Sequence, residues 1–325
     1  MESVPTVGVP NEALLSLGRW LQAQAYRFVC PTPDTHARVI ERAPDREAQS
    51  LDDVFGWNLP FSAGVMPDCV IHWLHEARML SHMGTRLRSG VRFSSIGDRL
   101  FAHSSYPTLD RDAVFFGPDT YRFTRFVETA LSAPWPHPVR SMADIGCGAA
   151  AGAIVALDAL DGRDLQRILL RDINPKALQF AATNAELNAC GPLDLSLGDA
   201  LADVEADFDL LIANPPYMIE DGLDRAYRDG GSHGGVDMAL RFLTDAMDRL
   251  APGGRILMYT GTPIVRGVDT FLRHASALLD RTSLRYRYTE LDPDVFGENM
   301  SLPQYAEVDR IAVVGLVVSR PGGDR

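Results

Sequence analysis

The chain has 325 residues, 46% of them hydrophobic and 23% charged, with 27 Gly and 21 Pro. That composition excludes the disordered, collagen-like and disulfide-scaffold classes, and the length suffices for one large or two ordinary domains with a full core. The 31 basic residues against 43 acidic ones leave a net charge of −12, so the chain has no bulk attraction for phosphate backbones or anionic membranes.

The four cysteines, Cys30, Cys69, Cys147 and Cys190, show no CxxC or Cys/His zinc spacing and read as reduced thiols of a cytoplasmic protein. No basic stretch followed by an apolar one opens the chain, and no apolar run reaches the roughly 18 residues a membrane helix needs. The eight histidines form no ligand spacing. His72 and His75, three apart on a helix, read as a surface pair, so no metal is expected.

The first 110 residues read as mostly helical. Residues 11–28 carry Leu14, Leu15, Leu17, Trp20, Leu21 and Ala25 at close to a 3.6 period. Pro33 and Asp34 open a second helix, Ser50 caps a third short segment, and 67–83 repeats Val70, Ile71, Leu74, Ala77 and Leu80 on one face. The period then switches to two: 90–97 and 99–105 predict a β-hairpin turning near Gly97-Asp98. Helices followed by a hairpin follow a winged-helix-like order, and an α-rich lid or packing domain gives the same pattern. The expected division is 1–110 as this helical unit, recognising substrate or acting as a lid, and 111–325 as a second domain.

From about residue 139 strands and helices alternate. VRSMADIG, RILLRDI, LDLSLGD, FDLLIA and RILMYTG are predicted strands, with Pro252-Gly253-Gly254 a turn before the last. SLRYRYTEL and IAVVGLVVS close the chain as two more. Continuous apolar strands between helices predict a mainly parallel sheet covered on both faces. Ligands of such sheets sit just past the C-terminal strand ends, so the informative residues should follow strands.

Four such places stand out. Asp144-Ile-Gly146-Cys147-Gly148 lies between a strand and a helix, where glycines allow close backbone approach and helix N–H groups are free. Asp172, about 20 residues beyond, can accept the ribose hydroxyls of an adenosine, since Asn174 and Pro175 already suit the start of the next helix. Gly198-Asp199 follows a third strand, and Asp199 can accept the amino group of an adenine. Asn214-Pro215-Pro216-Tyr217 ends the apolar strand FDLLIA. Two prolines stiffen that turn and remove two backbone donors. The Asn214 side-chain carbonyl and a free backbone carbonyl can then accept both hydrogens of an –NH₂ group, and Tyr217 offers a flat face for a planar amide or base.

On these residues, segment 139–262 resembles the class I S-adenosylmethionine-dependent methyltransferases, in the branch whose Asn-Pro-Pro-Tyr turn serves methylation of amide or exocyclic amino nitrogens. AVFFGPDTYRF (113–123) and DRAYRDGGSHGGVDMALRFL (224–243) are similar to stretches of the release-factor glutamine methyltransferases, in the wider methyltransferase small domain group. The resemblance covers roughly 113–325. It implies a Rossmann-like, seven-stranded, mainly parallel sheet with the last strand antiparallel, beside the small α-rich N-terminal unit. It implies S-adenosyl-L-methionine as cofactor, held by Asp144, Gly146, Cys147, Gly148, Asp172, Ile173, Asp199, Ala200 and Asn214, with Phe116 and Thr120 covering it. Asn214, Pro215 and Tyr217 would be catalytic, and Pro216 and Tyr217 would touch the acceptor.

Three departures bear on this. Ala150 replaces the third glycine of the loop and is expected to narrow it by a methyl. The stretch after the turn has extra small residues and His233, and strand RILMYTG continues as TP where an acidic residue is usual in that branch. The expected acceptor is an amide or amino nitrogen of a protein or small molecule. The alternatives are an adenine or guanine amine of RNA or DNA, and a non-catalytic cofactor-binding regulator.

Overall fold

The structure, a computed structural model, describes residues 8–133, 135, 138–161, 164–219, 230–231 and 235–322. Helix α1 (Glu12–Ala23) starts on Asn11, whose side-chain oxygen accepts the Leu14 N–H at 3.0 Å, satisfying one of the donors a helix start leaves open. Helix α2 (Pro33–Glu41) starts on Thr32 with proline in its first turn. Ser50 accepts the Asp53 N–H at 3.2 Å as a cap would, but the turn it opens, Asp52–Gly56, is wound as a π-helix.

Helix α3 (Asp68–Glu76) is shorter than the apolar period suggests. Arg78 takes a left-handed φ of 57°, and the chain reverses into β1 (Leu80–Met83), paired with β2 (Arg86–Ser89). A run as short as Ala77 to Leu80 does not separate the helical from the strand period. The expected hairpin follows as β3 (Val91–Ile96) and β4 (Arg99–Ser104), turning at Gly97. It is a packing element rather than an exposed wing, because β4 is buried from Leu100 to Ser104.

The second half forms helix α4 (Pro118–Leu131), then β5 (Ser141–Ile145), α5 (Ala151–Ala159), β6 (Arg167–Asp172), α6 (Pro175–Leu187), β7 (Asp194–Leu197) and β8 (Phe208–Ala213). Helix α7 (Asp237–Asp248), β9 (Leu250–Val265), β10 (Val268–Asp269), α8 (Thr270–Leu279), β11 (Arg285–Asp292) and β12 (Arg310–Ser319) complete it. The sheet order is β11-β12-β9-β8-β5-β6-β7, with β10 paired beside β9. Strands β5 to β9 are mutually parallel, and β12 is antiparallel to both β9 and β11. This is the Rossmann-like, mainly parallel arrangement with an antiparallel strand near the end.

The expected turn at Pro252-Gly253-Gly254 is instead a bulge inside β9. Phe208 pairs with Leu250, yet Leu210 pairs with Arg255, and Gly253 takes φ +81° to absorb the excess. Each strand divides its side chains between two cores. Met142, Leu210 and Leu257 face α4, α5, α6 and the N-terminal elements, while Ala143, Leu211 and Met258 face α7 and α8.

Two asparagines on α6 join β4 to this layer. Asn184 donates to the carbonyls of Ala102 and Ala149, both at 3.0 Å, and accepts the Ala102 N–H at 2.7 Å. Asn188 donates to the Leu100 carbonyl at 2.9 Å and accepts the Leu100 N–H at 3.3 Å. Asn184 is fully buried with its polar atoms paired, and it ties the hairpin to the loop after β5. Asn184→Ala strands those backbone groups without water, so urea denaturation should show a loss of about 2–4 kcal/mol.

Candidate functional site

The chain runs outward from β5 to β6 and β7, then returns to β8 on the other side of β5. The crevice over the C-terminal ends of β5 and β8 is therefore the switch point of the sheet. A cavity of about 420 Å³ lies there.

The loop after β5 is one wall. Gly146 and Gly148 take φ +69° and +54°, which L-residues adopt only at a cost. The N–H groups of Gly146 and Cys147 donate to the Arg171 carbonyl at 2.8 and 3.1 Å, anchoring the loop to β6. Ala150 also takes a left-handed φ, of 61°, just before α5. It is fully buried and off the cavity wall. Its cost is conformational, about 1–2 kcal/mol for a residue with a Cβ, and not the narrowing expected.

Asp172 lines the cavity but is not idle. Its carboxylate accepts the Gly148 and Asn174 N–H groups, both at 2.9 Å, clamping the glycine loop to the start of α6. Burial raises its pKa, and those N–H groups oppose the rise. Asn174 caps α6 by accepting the Lys176 N–H at 3.0 Å, and each Asp172 oxygen keeps a further lone pair for a hydroxyl donor.

Gly146, Cys147, Gly148, Asp172, Ile173, Asp199, Asn214, Phe116 and Thr120 all line this cavity. Two residues expected to hold the cofactor, Asp144 and Ala200, do not line the cavity. Asp144 points beneath the loop, is 1% exposed, and accepts the Ala153 N–H of α5 at 3.1 Å. Burial pushes its carboxyl up to about 7. Ala200 packs into the core beneath α7 at φ +44°. Asp199, at the rim, pairs with Arg241 of α7. The Thr120 hydroxyl accepts the Gly117 N–H at 3.3 Å at the start of α4.

The turn after β8 is the opposite wall, and Asn214, Pro215, Pro216 and Tyr217 all line the cavity. Oδ1 of Asn214 is buried and has no hydrogen-bond partner. Tyr217 is 6% exposed, more enclosed than a stacking platform requires. One side of its ring lies against Gly261, where a Cβ would sit 2.1 Å from a ring carbon. Its hydroxyl donates to Oδ1 of Asp119 at 2.7 Å, and the Tyr259 hydroxyl donates to the same oxygen at 2.5 Å. Burial raises the Asp119 pKa, while these bonds and Arg122 oppose the rise.

Sequence reasoning missed several residues that line the cavity or pack behind Tyr217 and Asp119. Tyr259 and Gly261 are two apart on β9 and so share a face; that alternation was readable in MYTGTP. Tyr106, Pro107 and Leu109, and Phe296 and Glu298, reach the cavity from outside the alternating strand–helix region, and no local pattern marks them. Of the 224–243 stretch, residues 224–229 and 232–234, including His233, lie outside the described residues. Among the described residues that line the cavity, the charged side chains are Asp34, Asp119, Asp172, Asp199 and Glu298, and none is Lys, Arg or His.

Residues 122–265 match the methyltransferase small domain family. That match spans a little under half of the chain. A release factor glutamine methyltransferase of Cereibacter sphaeroides is 30% identical over 186 residues, covering 53% of this chain and 62% of that one. A release factor glutamine methyltransferase of Koribacter versatilis is 31% identical over 152 residues, covering 42% and 52%. The ribosomal RNA small subunit methyltransferase C of Haemophilus influenzae is 37% identical over 87 residues, covering 26% and 24%. The matches thus span between about a quarter and three fifths of these relatives.

Two outcomes follow from the packing. Gly261→Ala forces the Tyr217 ring away from Asp119 and should lower stability by about 1–3 kcal/mol in urea denaturation. Asp144 is held above the ordinary carboxyl value of 3.8, so the folded state binds its proton more tightly than the unfolded chain does. Its favourable contribution is present below about pH 4 and is lost as pH rises toward 7. Asp144→Asn should therefore gain stability relative to the parent protein between pH 4 and 7, read by denaturation at each pH.

Proposed function

We propose that the chain is an S-adenosylmethionine-dependent N-methyltransferase whose acceptor is a planar amide or amino nitrogen of a protein or small molecule. The observation that carries this reading is the turn of Asn214, Pro215, Pro216 and Tyr217 on the cavity wall opposite the glycine loop, with the Asn214 Oδ1 buried in it without a hydrogen-bond partner. A desolvated acceptor without a donor costs about 1–3 kcal/mol, and an incoming N–H group is the donor that would relieve it.

The residues present fit the cofactor. The described lining carries carboxylates and no basic side chain, which suits a sulfonium cation. A Cβ at Gly148 would meet nothing within 4 Å, so the loop leaves open space where a ligand can approach the backbone. Gly146, Cys147 and Gly148 would hold the cofactor along the loop, with Asp172 toward its ribose and Phe116 and Thr120 above. When bound, S-adenosylmethionine supplies a methyl group already activated on sulfur.

This chain's own part is positioning and polarisation. Asn214 Oδ1 and the Pro215 carbonyl accept the two hydrogens of the acceptor –NH₂, which orients the nitrogen lone pair and pushes electron density onto it. Those bonds strengthen as positive charge develops on nitrogen, so they favour the transition state over the ground state. Holding nucleophile and donor in line supplies the rest. The methylated nitrogen then loses its proton to water.

The Haemophilus relative's name points to RNA, but the acid-only described lining offers no cation for a phosphate backbone. Incubation of source-cell extract with methyl-labelled S-adenosylmethionine should put label into protein or a small metabolite. Salt-sensitive labelling of RNA or DNA would replace this acceptor class with a base. Asn214→Ala should lower label transfer by about 100-fold or more, near 3 kcal/mol, with the calorimetric Kd for S-adenosylmethionine nearly unchanged. Transfer at the parent rate would remove Asn214 from the site.

A further inference from the structure

We propose that Arg171 is a positioning residue: its buried guanidinium holds the turn after β7, and through that turn sets Asp199 at the rim of the cavity. This rests on the reading of the cavity as an S-adenosylmethionine site. Arg171 stands on β6 between Ile145 of β5 and Ser196 of β7. Leu169, two residues earlier and so on the same face, packs in the core beneath α7. On that face the Arg171 side chain reaches under the turn. Its Nη1 donates to the Ser196 hydroxyl at 2.8 Å, and its Nη2 pairs with Asp203. A Cβ at Gly198 would lie 1.9 Å from Nη2 and 2.3 Å from Cζ, so the guanidinium rests against the Gly198 backbone itself.

Stability does not account for this arrangement. Arg171 is 4% exposed, and its Nε is buried without a hydrogen-bond partner. The Asp203 side chain, by contrast, is 74% exposed. A buried cation whose counter-charge stands in water is a poor source of folding energy, and an apolar side chain of similar volume fills such a space at less cost. What the guanidinium supplies is geometry. Its rigid fork engages Ser196 and Asp203 together, on either side of Gly198 and Asp199.

The same turn is tied from other directions. The Gly198 N–H donates to the Asp172 carbonyl at 3.0 Å, the Leu201 N–H donates to Asp245 of α7 at 3.3 Å, and Arg241 of α7 pairs with Asp199. Arg171 adds the tie from beneath, and it also serves the other loop, because its carbonyl accepts the Gly146 and Cys147 N–H groups. One residue thereby sets the spacing between the glycine loop and Asp199, both of which line the cavity. A turn fixed before the ligand arrives leaves less ordering to be done on binding.

The test uses the full chain and S-adenosylmethionine. Arg171→Met fills the space without the fork and leaves Asp203 in water. The calorimetric Kd for S-adenosylmethionine should rise about 5- to 20-fold. Amide hydrogen exchange over 198–204 should quicken by about tenfold or more, and the urea midpoint should stay at the parent value or rise. Asp203→Ala changes an exposed side chain and should raise Kd to within about threefold of the Arg171→Met value. In an Asp199→Ala background Arg171→Met should add less than about twofold, since two changes acting through one group are not additive. If the parent binds S-adenosylmethionine and Arg171→Met binds it equally well, or exchange over 198–204 is unchanged, this assignment alone is overturned. It is also overturned if the urea midpoint falls along with the affinity, which marks a packing residue, or if the two changes multiply in full. If the parent protein does not bind S-adenosylmethionine, the cofactor reading fails and this assignment falls with it.

Discussion

A hydrogen-bond acceptor removed from water and given no donor is the constraint around which this molecule is arranged. The Asn214 oxygen is in that position, on a turn whose two prolines offer no N–H groups of their own. Folding bears the desolvation cost of that oxygen. The neighbouring groups are bonded in ways that keep it so. Asp119 takes two tyrosine hydroxyls, and Gly261 leaves room for the Tyr217 ring.

The rest of the fold serves to hold two loops over one crevice. Parallel strands β5 and β8 end together, and the chain reverses direction of travel between them. The loop after β5 is clamped from below by the Arg171 carbonyl and from the side by Asp172. Asn184 bonds the Ala149 carbonyl of that loop and the backbone of β4 at once. The hairpin is therefore mechanically continuous with the glycine loop, and Tyr106 to Leu109, just beyond β4, reach the cavity wall. The N-terminal region thus shapes the cavity from a distance of some forty residues in sequence, which no window-based pattern registers.

Much of the architecture was legible in the chain. The alternation of apolar strands with helices predicts the parallel sheet, and the hairpin at Gly97 is readable from its period of two. The errors have local causes. The α3 helix stops early because Leu80 suits either period, and Pro252-Gly253-Gly254 reads as a turn because its residues are those of turns, although β9 absorbs them as a bulge. At the site, Asp172 was readable by its place after a strand, but its hydrogen bonds to Gly148 and Asn174 were not. Asp144 leads into the glycine loop and yet lies off the cavity, beneath α5, where its carboxylate accepts the Ala153 N–H.

Periodicity and turn chemistry, both properties of neighbouring residues, determined the elements, the sheet class and the positions of the glycine loop and the Asn-Pro-Pro-Tyr turn. Only the tertiary structure decided which polar atoms are satisfied. Asp119, Tyr217 and Tyr259 are separated by 98 and 42 residues along the chain, and their hydrogen bonds depend on strand order and register. Burial, which raises the Asp119 and Asp144 carboxyls, depends on everything packed around a group, and that is not written in any single stretch of sequence.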